Sequence, residues 1–196
     1  MGRRIEEQQR RATYADYAAV PSHLRAELIG GTLRVMPRPA PREARASTRL
    51  TVQICGPFDL GRGGPGGWHI LDEPELHFPD PSAPGEKDVV VPDLAGWRLE
   101  HTPELPEEAH FTLAPDWICE VLSKSTEDTD RNEKMPIYTR EGVRHAWLID
   151  PVKKTLEVFA LGAKRQWEAI AAHEGYARVR AVPFEVVEVD LSVLWV

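Results

Sequence analysis

Apolar positions in this chain fall in short runs and alternations punctuated by Gly and Pro, rather than in long helical stripes. The first pattern predicts a short helix over 14–20, because Thr13 and Asp16 have the spacing of a capping box and Pro21 stops the helix. Ala26-Glu27-Leu28-Ile29 and Thr32-Leu33-Arg34-Val35-Met36 then flank Gly30-Gly31, a pair that permits the positive φ angles of a tight hairpin turn. Ala46, Leu50, Ile54 and Phe58 recur at i, i+4 spacing and predict a helix from 42 to about 55, with Arg42, Arg45 and Arg49 on its other faces. The glycine-rich stretch 61–67 reads as a loop, and it lacks the Gly-Lys-Ser/Thr ending of a phosphate-binding loop.

Strands are predicted over 68–71 and 73–78, followed by a turn-rich insert at 79–87. The run Asp88-Val89-Val90-Val91-Pro92-Asp93-Leu94-Ala95-Gly96-Trp97 carries three consecutive valines, which predict a buried central strand. Asp116-Trp117-Ile118-Cys119-Glu120-Val121-Leu122 is apolar on both faces apart from Glu120 and predicts a second one. Ser125-Thr126-Glu127-Asp128 opens a helix that continues to Gly142 and is kinked or restarted at Pro136. Further strands over 145–149, 155–161, 166–171, 177–180 and 184–189 make the C-terminal half β-rich, with Trp97, Trp117 and Trp147 in the core. The pattern is that of one α/β (α+β) domain over 13–196, a mixed sheet with two or three helices, preceded by a flexible arm at 1–12.

Composition narrows this picture. With 196 residues, 42% hydrophobic and 28% charged, the chain suits one compact core rather than two. No apolar stretch approaches the roughly 20 residues that cross a bilayer. The opening MGRRIEEQQRR is charged where a secretory signal is apolar, so a cytoplasmic protein is expected. Cys55 and Cys119 form no CxxC pair and are expected as reduced thiols without zinc. The seven histidines show no ligand motif, and His69 and His77 read as ordinary strand residues.

The net charge of −7 argues against coating nucleic acid by bulk electrostatics, but it is unevenly spread. Residues 1–50 carry ten Arg against five acids, while the remainder carries fourteen basic and twenty-six acidic groups. Arg38, Arg42, Arg45 and Arg49 are either ordinary solvated surface or contacts for phosphate.

The informative anomaly is a carboxylate inside an apolar strand. A buried, unpaired Glu120 would cost several kcal/mol, so it must be paired, protonated or bound to a cation. Asp93 follows Val89-Val90-Val91-Pro92 in the same manner, and pairing of the two strands would bring both carboxylates to one edge of the sheet. Glu27, between Ala26 and Leu28-Ile29, is a third candidate. Paired carboxylates on neighbouring strands suit a hard, oxygen-ligated cation such as Mg²⁺, which can activate water and neutralise charge on a phosphoryl group. The alternatives are a turn aspartate at Asp93 and a buried ion pair at Glu120.

These residues carry a resemblance. Pro92-Asp93 followed by Glu120 in an apolar strand resembles the PD-(D/E)XK nuclease core. The blocks Ala26–Leu33, Val90–Ala95, Cys119–Ser123, and Asp130 through Lys134, Tyr138 and Gly142 to Asp150 come in the order of the Uma2 (DUF820) family of restriction-endonuclease-like proteins. The resemblance spans roughly 13–159. It implies a mixed β-sheet flanked by helices, Glu27, Asp93 and Glu120 as metal ligands, Mg²⁺ or Mn²⁺ as cofactor, nucleic acid as substrate and a homodimer.

One departure is that Leu122 stands where the general motif has Lys. Lys134 on the following helix is the replacement to expect, orienting water or stabilising charge beside the catalytic Asp93 and Glu120. Lys124 shares the alternation of Glu120 and Leu122 and is the other candidate, and Tyr138 on the same helix as Lys134 reads either as a support for the site or as an ordinary buried aromatic. Against this, Asp130 and Lys134 at i, i+4 read equally as a surface pair worth about 0.3 kcal/mol. The readings that remain open are a metal-dependent endonuclease, an inactive nuclease-fold binding module, and a two-carboxylate glycosidase that has little aromatic context here.

Overall fold

The chain is described by a computed structural model over residues 10–36 and 39–195. Residues 1–9 of the expected arm, and Arg38, lie outside the described residues. Where the description begins, the Ala12 N–H donates to the Gly31 carbonyl at 2.7 Å. Helix α1 (Tyr14–Ala18) starts at the expected capping box, with the Thr13 side chain accepting from the Asp16 N–H and the Asp16 carboxylate accepting in return. Strands β1 (Arg25–Ile29) and β2 (Thr32–Met36) form the expected hairpin, with Gly30 at φ 56° and Gly31 at φ 76°. Helix α2 (Pro41–Ile54) buries Ala46, Leu50 and Ile54 along one stripe and leads into a π-helical turn, Cys55–Asp59.

The rest is mostly sheet. In chain order come β3 (Trp68–Asp72), β4 (Leu76–Pro79), β5 (Lys87–Val90), β6 (Leu94–Arg98) and β7 (Trp117–Val121). Helix α3 (Glu127–Thr129), a π-helical turn (Asp130–Lys134) and helix α4 (Met135–Glu141) follow. The chain then makes β8 (His145–Asp150), β9 (Thr155–Leu161), β10 (Trp167–Glu174), β11 (Arg178–Val179) and β12 (Val189–Asp190). The strands build a four-stranded sheet, β2-β1-β5-β4, a six-stranded sheet, β10-β9-β8-β7-β6-β3, and a small β11-β12 pair. Among the described strands only β7 and β8 pair in parallel, and the α3–α4 crossover joins them.

Several expectations need correction. The run 88–97 is not one central strand: it divides at Val91-Pro92-Asp93, and β5 and β6 belong to different sheets. Proline has no N–H to donate to a ladder, so the chain changes sheets there. The strand pairing with β7 is accordingly β6, with Leu94 opposite Cys119. Glu73 lies in a turn at φ 46° rather than in a strand, which delays β4 to Leu76. The helix expected from Ser125 to Gly142 is broken in three by the π-helical turn before Pro136. Residues 184–188 form turns, leaving only Val189–Asp190 as strand.

Two apolar clusters cover opposite faces of β7. Trp117 and Cys119 pack with Trp147, Phe58 and Phe184 on one side, while Ile118 and Leu122 pack with Trp97, Met135 and Tyr138 on the other. Trp97, Trp117 and Trp147 are wholly buried. Each contributes roughly 4–6 kcal/mol of gross transfer free energy to this frame. Strand alternation therefore fixes Glu120 on the face that the α3–α4 crossover covers.

Candidate active site

Glu120 sits mid-strand in β7, where its ladder neighbours are apolar and its side chain is 1% exposed. Its compensation comes from the crossover. Lys134, at the end of the π-helical turn and 2% exposed, places its ammonium 2.8 Å from Glu120 Oε1. The same ammonium lies 3.2 Å from Glu27 Oε1 and 3.3 Å from Asp130 Oδ1, and donates to the Val91 carbonyl at 3.2 Å. Tyr138, one turn further on in α4, donates its hydroxyl to Glu120 Oε1 at 2.6 Å. A lysine at the Leu122 position would face the same side as Glu120, but that space holds the apolar side chain packed under α4. The cation therefore arrives from the helix layer instead.

Asp93 occupies the break between β5 and β6. Its Oδ2 accepts from the Val121 N–H at 2.7 Å, which draws it against the end of β7, and its Oδ1 lies 3.8 Å from Arg25 Nη1. Glu27, on β1, accepts from the Val91 N–H at 2.8 Å through Oε1, while Oε2 is buried without a partner among the described residues. Asp93, Glu120, Val121, Asp130, Lys134 and Arg25 line a cavity of about 200 Å³, together with Pro39, Ala40 and Glu43 at the start of α2.

The electrostatics follow first from burial and then from the neighbouring charges. Burial drives the Glu120 carboxyl well above its usual range; Lys134 opposes this, while Asp130 and Asp93 add to it. Burial likewise raises Asp93 to about 6, against the pull of Lys134, Arg25 and the Val121 N–H. Burial alone would weaken the Lys134 ammonium, but Glu120, Glu27 and Asp130 outweigh it and hold the group charged well above the ordinary lysine value. Tyr138 is kept as a phenol by burial and by the facing Glu120. Four carboxylates (Glu27, Asp93, Glu120, Asp130) against two cations (Lys134, Arg25) leave a buried negative excess, which a proton or an added cation must offset.

The expected residues are thus distributed as follows. Asp93, Glu120 and Lys134 meet at the cavity, and Tyr138 supports Glu120. Glu27 is not part of the cavity wall; the Lys134 ammonium stands between it and Glu120. Among the described residues no three Asp, Glu, His or Cys side chains form a ready-made metal cage, so Glu27, Asp93 and Glu120 are not assembled as one. Lys124 is exposed and lies outside the cavity wall. Arg42 and Arg45 are exposed and Arg49 partly so, at i, i+3, i+7 along one face of α2.

Sequence reasoning missed Arg25 and read Asp130 only as a partner for Lys134. For Asp130 the signal was present in its spacing from Lys134. For Arg25 it lay only in the alternation of β1, two residues before Glu27.

The donor set is oxygen-only and carries excess negative charge, which fits Mg²⁺ or Mn²⁺. Such ions take one or two protein carboxylates and fill the remaining positions with water and substrate oxygens. A mixed sheet with helices across it and this acid–acid–lysine cluster at its edge define a restriction-endonuclease-like fold. In keeping with this, the chain superposes on the crystal structure of a "putative nuclease belonging to DUF820" from Anabaena variabilis with a TM-score of 0.71. The match covers 93% of this chain and 97% of that one at 20% sequence identity. No functionally curated protein matches the chain. The sequence model of the Uma2 family, described as "Putative restriction endonuclease", matches residues 11–193, and the chain belongs to that family.

Proposed function

We propose that this Uma2 protein is a Mg²⁺- or Mn²⁺-dependent endonuclease that hydrolyses phosphodiester bonds of nucleic acid. The observation that carries the reading is the Lys134 ammonium buried 2.8 Å from Glu120 at a cavity that Asp93 also lines. Asp93 and Glu120 would hold the ion, which when bound supplies Lewis-acid polarisation of a phosphoryl oxygen and a more acidic water. Lys134 is locked in its charged form, so it acts as a hydrogen-bond donor and a stabiliser of negative charge on the phosphoryl group, not as a base. Glu27 and Asp130 hold that ammonium in place, and Tyr138 fixes the orientation of Glu120.

Substrate approach is the reading's electrostatic difficulty, given a net charge of −7. Arg42, Arg45 and Arg49 answer it locally. They form a stripe along the helix whose Glu43 lines the cavity, and make no ion pair among the described residues. In a homodimer two such stripes would double this surface. No described helix is long and apolar enough to cross a membrane.

The test is cleavage of single- and double-stranded DNA and RNA with Mg²⁺, Mn²⁺ or EDTA, comparing wild type with Glu120→Gln and Lys134→Met. Metal-dependent cleavage lost by at least a hundredfold in both variants is the expected result. Metal binding without cleavage of any substrate would favour an inactive nuclease-fold module instead.

A further inference from the structure

Arg25 is the cavity cation that, among the described residues, hydrogen-bonds none of Glu27, Asp93, Glu120 and Asp130. Its Nη1 pairs with Glu73 Oε1 at 2.5 Å and stops 3.8 Å short of Asp93, beyond hydrogen-bond reach; Nη2 donates to the Val91 carbonyl at 2.9 Å. Its Nε is buried with no partner among the described residues. A guanidinium has five donors in a fixed fork, and here the fork is only partly used.

The position is also a junction. Arg25 lines the catalytic cavity and two neighbouring cavities, of about 590 and 330 Å³, and Glu73 lines both of the latter. Met36 and Pro39 also line both the catalytic cavity and the larger neighbour, so the two adjoin at Arg25. Glu73 holds the guanidinium from an unusual backbone: it is at φ 46°, with its N–H bonded to the Asp93 carbonyl at 3.0 Å. Left-handed backbone at a non-glycine residue persists where the surroundings enforce it, and it concentrates at working sites.

We propose that Arg25 is a phosphate clamp. Its guanidinium binds the phosphate next to the scissile one as the strand passes from the catalytic cavity into the adjoining groove, and Glu73 is the stand-in anion it leaves to do so. The substrate is therefore a polynucleotide strand with at least two successive phosphates. This rests on the nuclease reading. A phosphodiester oxygen offers the guanidinium the bidentate, charge-assisted contact that the half-exposed Glu73 carboxylate now supplies through one nitrogen.

The two residues are predicted to act with opposite signs. Binding of a short, fluorescently labelled single-stranded oligonucleotide is measured by anisotropy, with Ca²⁺ replacing Mg²⁺. Arg25→Met should weaken it about tenfold or more and lower the slope of log affinity against log salt by about one. Arg25→Lys should retain the salt slope but recover only part of the affinity. Glu73→Gln should tighten binding a few-fold, because the clamp no longer has to leave an anion.

A purely structural Arg25–Glu73 pair predicts instead that both substitutions lower the melting temperature and weaken binding together, which would overturn the clamp. An Arg25→Met variant that binds like wild type overturns it while leaving the nuclease reading intact. Failure of the wild type to bind the oligonucleotide either alone or annealed to its complement overturns both. Should Arg25→Met fail to fold, Arg25→Lys and Glu73→Gln decide the question by the same signs.

Discussion

Asp93 shows at the scale of one residue what burying a carboxylate does. Its raised value, about 6 against an ordinary 3.8, means that the folded chain holds a proton there that the unfolded chain has released. Ionisation is therefore penalised in the fold above about pH 6, and the penalty is absent below about pH 4. Without metal, Asp93→Asn should melt higher than wild type at pH 7.5, by at most about 3 kcal/mol, and the gap should close as the pH falls to 4. Asparagine keeps an acceptor for the Val121 N–H, so the comparison isolates the charge. Denaturant titrations in EDTA at the two pH values check this.

Tyr138→Phe removes one donor from a buried carboxylate oxygen and should cost about 2 kcal/mol in the same titrations. Much of this was legible in the sequence. Glu120 announced itself as a charge within an apolar run, and Lys134 by its place in the family's order of blocks. Arg25 was not legible, because an arginine beginning a strand is ordinary and only the fold brings Glu73 and Asp93 beside it.

At the scale of elements, the site depends on where strands stop. Pro92 prevents a continuous ladder through 88–97, so the chain leaves one sheet, turns at Asp93 and enters the other. The sequence showed the buried valines and the proline, but a period-two pattern carries no information about which sheet a strand joins. The hairpin at Gly30-Gly31 was legible because its signal is local, and the π-helical turn was not, because nothing local distinguishes it from an α-helix carrying Pro136. Asp130 and Lys134, the first and last residues of that turn, both line the cavity.

Gly96 in β6 lies between Trp68 and Trp117, where an added Cβ would come within 3.2 and 3.3 Å of their rings. Gly96→Ala should cost about 1–3 kcal/mol by this crowding. It should also weaken metal-dependent activity, because β6 carries Asp93 at its head. A variant as stable as wild type in urea would contradict the packing argument.

For the whole molecule the account is one of charge balance. The body is acidic, α2 carries Arg42, Arg45 and Arg49 while its Glu43 lines the cavity, and the buried cluster at the cavity holds two more carboxylates than cations. The two-sheet frame holds those carboxylates close at a cost in metal-free stability, and an ion that neutralises them should return it. Saturation at a hundred times the dissociation constant stabilises by about 2.7 kcal/mol, or roughly 5–10 °C for a chain of this size.

The most direct test is thermal unfolding of wild type, Asp93→Asn and Glu120→Gln in EDTA and in millimolar Mg²⁺ or Mn²⁺. The account predicts that wild type gains several degrees with metal, while both variants fold, melt no lower than wild type in EDTA, and gain nothing. A metal shift that persists in both variants, or variants that fail to fold, would mean that these carboxylates are a structural ion-pair network and not a metal site.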